Sequence, residues 1–247
     1  MKAFVVDLDE RENREVLCKF HFDRGGKSKL EYAYYDKQAV SNIHEVANKI
    51  KTLIQKSLKN NEYTLLNRNE IKEAFFSPFK PQLKNAQVFL SHSHADKNKA
   101  LKVKGYLEEY RDAECVFIDS LFWDYKDDVL SKLAKYAEYD DNDISRIEDA
   151  FTLILRESLQ DMIEKCPYFV FLQSKNSVSL NQGLSQITYS AWIYEELRIA
   201  NTFIADTALQ ESRIKAMCIS YDVTNLLRRF KPISLNGLCN EIFSTLL

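Results

Sequence analysis

Residues 88–97 read VFLSHSHADK: a short apolar run gives way to two histidines and then to charge. Two readings compete for it. In one, His92, His94 and Asp96 are metal ligands, because His-x-His-x-Asp is a spacing at which zinc sites open. In the other, Val88 to Leu90 is a buried strand, and the histidines are loop polars near a helix start with Ser93 or Asp96 as N-cap. The rest of the chain chooses between them.

The zinc sites of metallo-β-lactamase-like hydrolases place a further histidine directly after His-x-His-x-Asp and more histidines downstream. Lys97 stands where that histidine belongs, and the other two histidines, His21 and His44, lie upstream. Zinc wants three or four ligands with an organising second layer of partners, and alternate residues at a strand end supply only two. We therefore read the stretch as a strand end and expect no metal.

Outward from it, the pattern repeats. A helix follows with Ala100, Val103, Leu107 and Tyr110 on one side, and Cys115 to Ile118 is a second buried strand. Ile147, Phe151, Ile154, Leu155, Leu159, Met162 and Ile163 stripe a helix over 144–165. Pro167 leads into a third strand, Tyr168 to Leu172. Ser190 to Phe203 is a helix, Ile214 to Ser220 a fourth strand, and Leu235 to Leu247 a closing helix. Strands alternating with helices predict an α/β fold, a parallel sheet with helices on both faces, of the flavodoxin-like kind. The ligand crevice of such a sheet lies beyond the carboxyl ends of its strands, where His92 and Ser93 fall. The acidic segment Asp124 to Asp143 reads as a solvated charged loop, and Ser174 to Ser190 as polar and without regular pattern.

Upstream, Ala3 to Leu8, Glu15 to Phe22 and Lys29 to Tyr35 read as strands. Val16, Cys18, Phe20 and Phe22 alternate with Leu17, Lys19 and His21, which suits a half-buried antiparallel strand. Ile43, Val46, Ala47, Ile50, Leu53, Ile54 and Leu58 fall at helical spacing, and the Pro78/Pro81 segment looks like a linker. These residues predict a small α+β appendage over 1–83, of unknown role, beside a main domain over 84–247.

Bulk properties narrow the function. The 247 residues carry 34 basic and 36 acidic side chains, so no basic excess advertises nucleic acid as a ligand. The five cysteines are scattered without a CxxC pair, and Cys115, Cys166 and Cys218 lie in or beside apolar runs. That suggests buried thiols in a reducing compartment. No signal-peptide core occurs in residues 1–30, and no apolar run approaches membrane-spanning length. The expectation is a cytoplasmic protein with no membrane partner. With five glycines, and no GxGxxG or GxxxxGK[ST], Rossmann and P-loop phosphate binding are excluded.

Phe89-Leu90-Ser91-His92-Ser93, then Asp96-Lys97 and an amphipathic helix, resembles the opening of a Toll/interleukin-1 receptor (TIR) domain of the bacterial kind. Ser190-Ala191-Trp192-Ile193-Tyr194-Glu195-Glu196-Leu197 is similar to that family's serine, tryptophan and Glu-Leu. The order of strands agrees, with strand A at Val88 to Leu90, B at Val116 to Ile118, C at Phe169 to Leu172 and a later one at Ala216 to Ser220. The resemblance runs from about Ala86 to Leu247.

Some TIR domains assemble as non-catalytic interaction modules; others cleave the nicotinamide–ribose bond of NAD+ with a glutamate on the helix after strand C. The resemblance thus implies an NAD+ nucleosidase with Glu196 as its catalytic residue, serving bacterial antiviral defence through ADP-ribose or a cyclic variant. It implies NAD+ as substrate rather than cofactor, and self-association through TIR surfaces. Residues just after strand A (His92, Ser93), the loop after strand B (Phe122, Trp123) and Trp192 would line the substrate site. The chemistry of the helix agrees with that choice. Trp192 and Glu196 are four apart and share one face, beside the Ile193, Leu197, Ala200 and Ile204 stripe. Glu195 stands about 100° away, placed for a surface ion pair with Arg198. Breaking an N-glycosidic bond builds positive charge on ribose, which a fixed carboxylate stabilises in the transition state.

Overall fold

The computed structural model of the chain describes residues 1–23, 45–53, 55, 67–76, 86–109, 116–118, 127–132, 134–135, 141–180, 185–204 and 220–244. It divides into two compact units, one of Met1–Ser28, Asn85–Asp119 and Gln160–Leu247, the other of Lys29–Lys84 and Ser120–Leu159.

The first unit is α/β. Its strands, in chain order, are β1 (Lys2–Asp7), β2 (Val88–Ser91), β3 (Val116–Ile118), β4 (Tyr168–Gln173), β5 (Ser179–Leu180), β6 (Gln186–Thr188), β7 (Tyr221–Asp222) and β8 (Lys231–Pro232). Five of them form one sheet in the order β3-β2-β4-β1-β8, and every pairing in it is parallel. The remaining three make a small antiparallel sheet, β5-β6-β7.

Consecutive strand residues face opposite sides, so a strand buried along its length has both faces covered. Every residue of β2 and β3 is buried, as are Tyr168 to Leu172 of β4. On one face Phe117, Phe89 and Phe169 are register partners across β3, β2 and β4. Their ring centroids lie 5.5 and 5.4 Å apart, and Phe230 meets Phe169 edge-on at 5.5 Å. Each buried ring contributes roughly 2–3 kcal/mol. A one-residue slip would turn the row to the other face, so it fixes the register.

Helices follow the strands. Lys97–Glu109 buries Ala100, Val103, Tyr106 and Leu107, the face expected from spacing; Tyr110 lies outside the described residues. Lys104 is buried on this helix. Its ammonium pairs with Glu108 at 2.5 Å and donates to the Val116 carbonyl at 2.8 Å, while the Val116 amide donates to Glu108 at 3.0 Å. A buried ion pair and two backbone bonds thereby tie the helix to the start of β3.

Two expectations fail at the beginning of the chain. Glu15 to Phe22 is not a strand: Arg11–Asp23 is a helix, with Asn13 and Leu17 buried and Val16 and Phe20 partly so. Those positions repeat at three and four residues, and Arg11 and Glu15 pair across one turn at 2.8 Å. Ala3 to Leu8 is a strand, as expected, but β1 lies inside the parallel sheet between β4 and β8. Residues 1–83 are therefore not one appendage. The first strand and helix belong to the sheet unit, and the other unit takes residues from both sides of position 84. Lys29 to Tyr35, the Pro78/Pro81 segment and Ile214 to Cys218 lie outside the described residues.

The described parts of the second unit are helical. Residues 45–53 bury Val46, Ala47 and Ile50; Arg68–Phe76 buries Ile71 and Ala74. Asp141–Lys165, which belongs to this unit as far as Leu159, buries the expected stripe from Ile147 to Ile163. The acidic segment is not wholly loop, since residues 127–132 and 141–143 are helical.

Candidate active site

From β2 the chain passes to β3 on one side of it; from β4 it passes, by way of the small sheet, to β8 on the other side. The gap between the carboxyl ends of β2 and β4 is therefore the switch point where open α/β sheets bind ligands. Ser91 closes β2 there, opposite Phe171 of β4.

Ala191–Phe203 supplies the partner. Ser190 caps it, its hydroxyl accepting from the Ile193 amide at 3.2 Å. Ile193, Leu197 and Ala200 are buried, and so, at 0% exposure, is Glu196. Ser91, also 0% exposed, donates its hydroxyl to Glu196 Oε2 at 2.5 Å. A carboxylate from one helix and a hydroxyl 105 residues earlier thus meet at the strand ends. Glu195 and Arg198 pair at 3.8 Å, with Arg198 largely exposed, as their spacing indicates.

A second polar group fastens the same edge. Asp96 ends the His94–Asp96 turn and is buried. Ser174 donates to its Oδ2 at 2.5 Å, Asn176 to its Oδ1 at 3.0 Å, and the Lys99 ammonium stands 3.2 Å from Oδ1. Burial alone would push this carboxyl up; the Ser174, Asn176 and Lys99 partners outweigh it and hold the group below its ordinary value. Lys99 also reaches Asp9 at 3.6 Å, and the Lys175 amide donates to Asp9 at 3.1 Å. The turns after β1, β2 and β4 are joined by one network.

The residues singled out from sequence fall in several places. His92 is buried directly after Ser91 and Ser93 is half-buried. Ser93 precedes the short turn without a side-chain capping bond, and the Asp96 carboxylate goes to Ser174, Asn176 and Lys99. Ser93 therefore holds the expected N-cap position with extended backbone, whereas the Asp96 side chain serves the network instead of a cap. His94 is exposed where His92 is buried. Trp192 is half-buried one turn before Glu196. Phe122 and Trp123 lie outside the described residues. Ser91, Ser174 and Asn176 were not foreseen as site residues. The signal for Ser91 was a hydroxyl at the end of an otherwise apolar run.

The arrangement offers a carboxyl side chain, hydrogen-bonded to a hydroxyl and shielded from water, beyond the strand ends where open α/β sheets bind ligands. Such a carboxylate can stabilise a developing cation or take a proton. No protein-family model, curated protein or solved structure matches the chain. Among the described residues no helix is long and apolar enough to cross a membrane.

Proposed function

We propose that the chain is a TIR-like NAD+ nucleosidase that cleaves the nicotinamide–ribose bond, releasing nicotinamide and ADP-ribose or a cyclic variant, in bacterial antiviral defence. One observation carries the reading: Glu196 meets Ser91 at the switch point of the sheet, inside the edge where a nucleotide would lie. The chemistry asks little more of the protein. Nicotinamide leaves as a neutral molecule from a cationic pyridinium, so the bond breaks without an acid to protonate it. The ribosyl fragment becomes cationic as it does so, and a carboxylate in a low-dielectric site stabilises that charge more than it stabilises the substrate. Capture by water gives the linear product; capture by the adenine ring gives the cyclic one. Glu196 has no exposed surface in the described state, so turnover includes a step that uncovers it.

That burial also favours a second reading, a non-catalytic TIR assembly module in which Glu196 only ties its helix to β2. Nicotinamide release from NAD+, measured over a range of protein concentrations, separates the two. The nucleosidase reading expects Glu196→Gln to lose at least 100-fold in kcat while its thermal midpoint stays near wild type, since the amide oxygen still accepts from Ser91. Equal turnover by the two proteins, or none by either, leaves the assembly module.

A further inference from the structure

We infer that Ser91 is the positioning residue for Glu196: its hydroxyl fixes the carboxyl group in one rotamer, from which it meets the ribose once the site is uncovered. The inference rests on the nucleosidase reading. Three observations converge on it. Ser91 is the polar member of the β2 run Val88–Ser91, and it lies two residues after Phe89, hence on the face of the aromatic row. That face is otherwise built for apolar packing, and both Ser91 and Glu196 are at 0% exposure on it. The two side chains are in direct hydrogen-bond contact, the hydroxyl donating to Oε2 of the carboxyl group.

Stability alone does not call for such a pair. Burying a carboxylate is costly, and apolar replacements of similar volume commonly leave a core no less stable. What the pair supplies is placement. A free glutamate side chain samples three torsions, and ordering it opposes any task that needs one geometry. A neutral donor suits the task where an arginine or lysine would not. It fixes one oxygen of the group through a hydrogen bond and adds no charge of its own. A serine at the end of a strand in the sheet's interior is a stiff mount, because its backbone is held by β4 through the Ser91–Phe171 register.

The test uses the full chain, NAD+ and steady-state kinetics of nicotinamide release. Ser91→Ala is expected to lower kcat roughly 10- to 100-fold, the range for a hydrogen bond to a charged group, with KM changed less than about 3-fold. Ser91→Thr, which keeps the hydroxyl, restores most of that loss. In a Glu196→Gln background, Ser91→Ala has no further effect, because it acts through the carboxylate. If Ser91→Ala does not fold, Ser91→Cys, a near-isosteric but weaker donor, takes its place with the same expectation. Wild-type kcat in the variant that folds, with Glu196→Gln inactive, overturns the role of Ser91 and leaves the nucleosidase reading standing. A KM increase at constant kcat overturns it as well. Turnover by wild type that Glu196→Gln does not reduce, or no turnover by wild type at any concentration, removes the reading and this inference together.

Discussion

At Asp96, three partners oppose one burial penalty and win. The carboxyl is held below its ordinary value in the folded chain, so its sign in the linkage is that of a depressed acid. Its contribution is complete above the unfolded aspartate value, about 3.9, and is lost as pH falls through the lower folded value. Asp96→Ala leaves Ser174 and Asn176 without this acceptor and Lys99 with Asp9 alone. It is expected to cost about 2–3 kcal/mol in urea unfolding at pH 7, and clearly less at pH 3. A difference that grows on acidification would contradict the network. Single residues were unevenly legible beforehand. Glu196 was named from the TIR resemblance, and helical spacing chose it over Glu195, which keeps the Arg198 contact; spacing placed it at the core's margin, and the structure buries it fully. The Asp96 network could not be named, because its donors come from a turn 78 and 80 residues further on. Nothing local in His94-Ala95-Asp96 announces them.

Elements follow local periodicity, and periodicity misleads where a short segment satisfies two periods. Glu15 to Phe22 alternates well enough for a strand, yet Asn13 completes a helical face with Val16, Leu17 and Phe20, and Arg11 pairs with Glu15 across one turn. What decides is position: a parallel strand must be followed by a crossover, and helices are the usual means. Asn13 is the joint of that crossover. It is fully buried, donates Nδ2 to the Asp7 carbonyl at 2.8 Å, and accepts at Oδ1 from the Leu235 amide at 2.9 Å. It thus ends β1 and starts the Leu235–Ser244 helix at once. Asn13→Ala takes its acceptor from the Leu235 amide and leaves the Asp7 carbonyl only the longer bond from Glu10, and should cost about 2–3 kcal/mol, read from the urea midpoint at unchanged m-value. Asn13→Asp should recover only part, since a carboxylate accepts but does not donate. The long stripe of Asp141–Lys165 and the capped helix after Ser190 were plain in the sequence, because each runs over several turns and admits one period only.

At the level of the molecule, alternation of strand and helix pointed to the parallel sheet, and the sheet is there. Its membership was less legible. Lys2–Asp7 pairs along its whole length with Tyr168–Gln173, a match between segments far apart in sequence that pattern alone does not reveal. An apparent appendage at the head of the chain thus supplies an interior strand. Removing residues 1–23 takes away that strand and bares β4 and β8. A chain beginning after Asp23 is expected to lose the cooperative urea transition of the full protein. Retention of that transition with an unchanged midpoint would mean β1 is dispensable and its place in the sheet wrong.

The same strand sets a schedule for synthesis. Lys2–Asp7 leaves the ribosome well before its neighbours: the segment it pairs with follows 166 residues later, and Lys231–Pro232 later still. At about 5–20 residues per second, an apolar ribbon waits roughly 10–30 s for its neighbour. During that interval it is an open invitation to the wrong partner, so a nascent chain of this design gains more from a holding chaperone than from rapid translation.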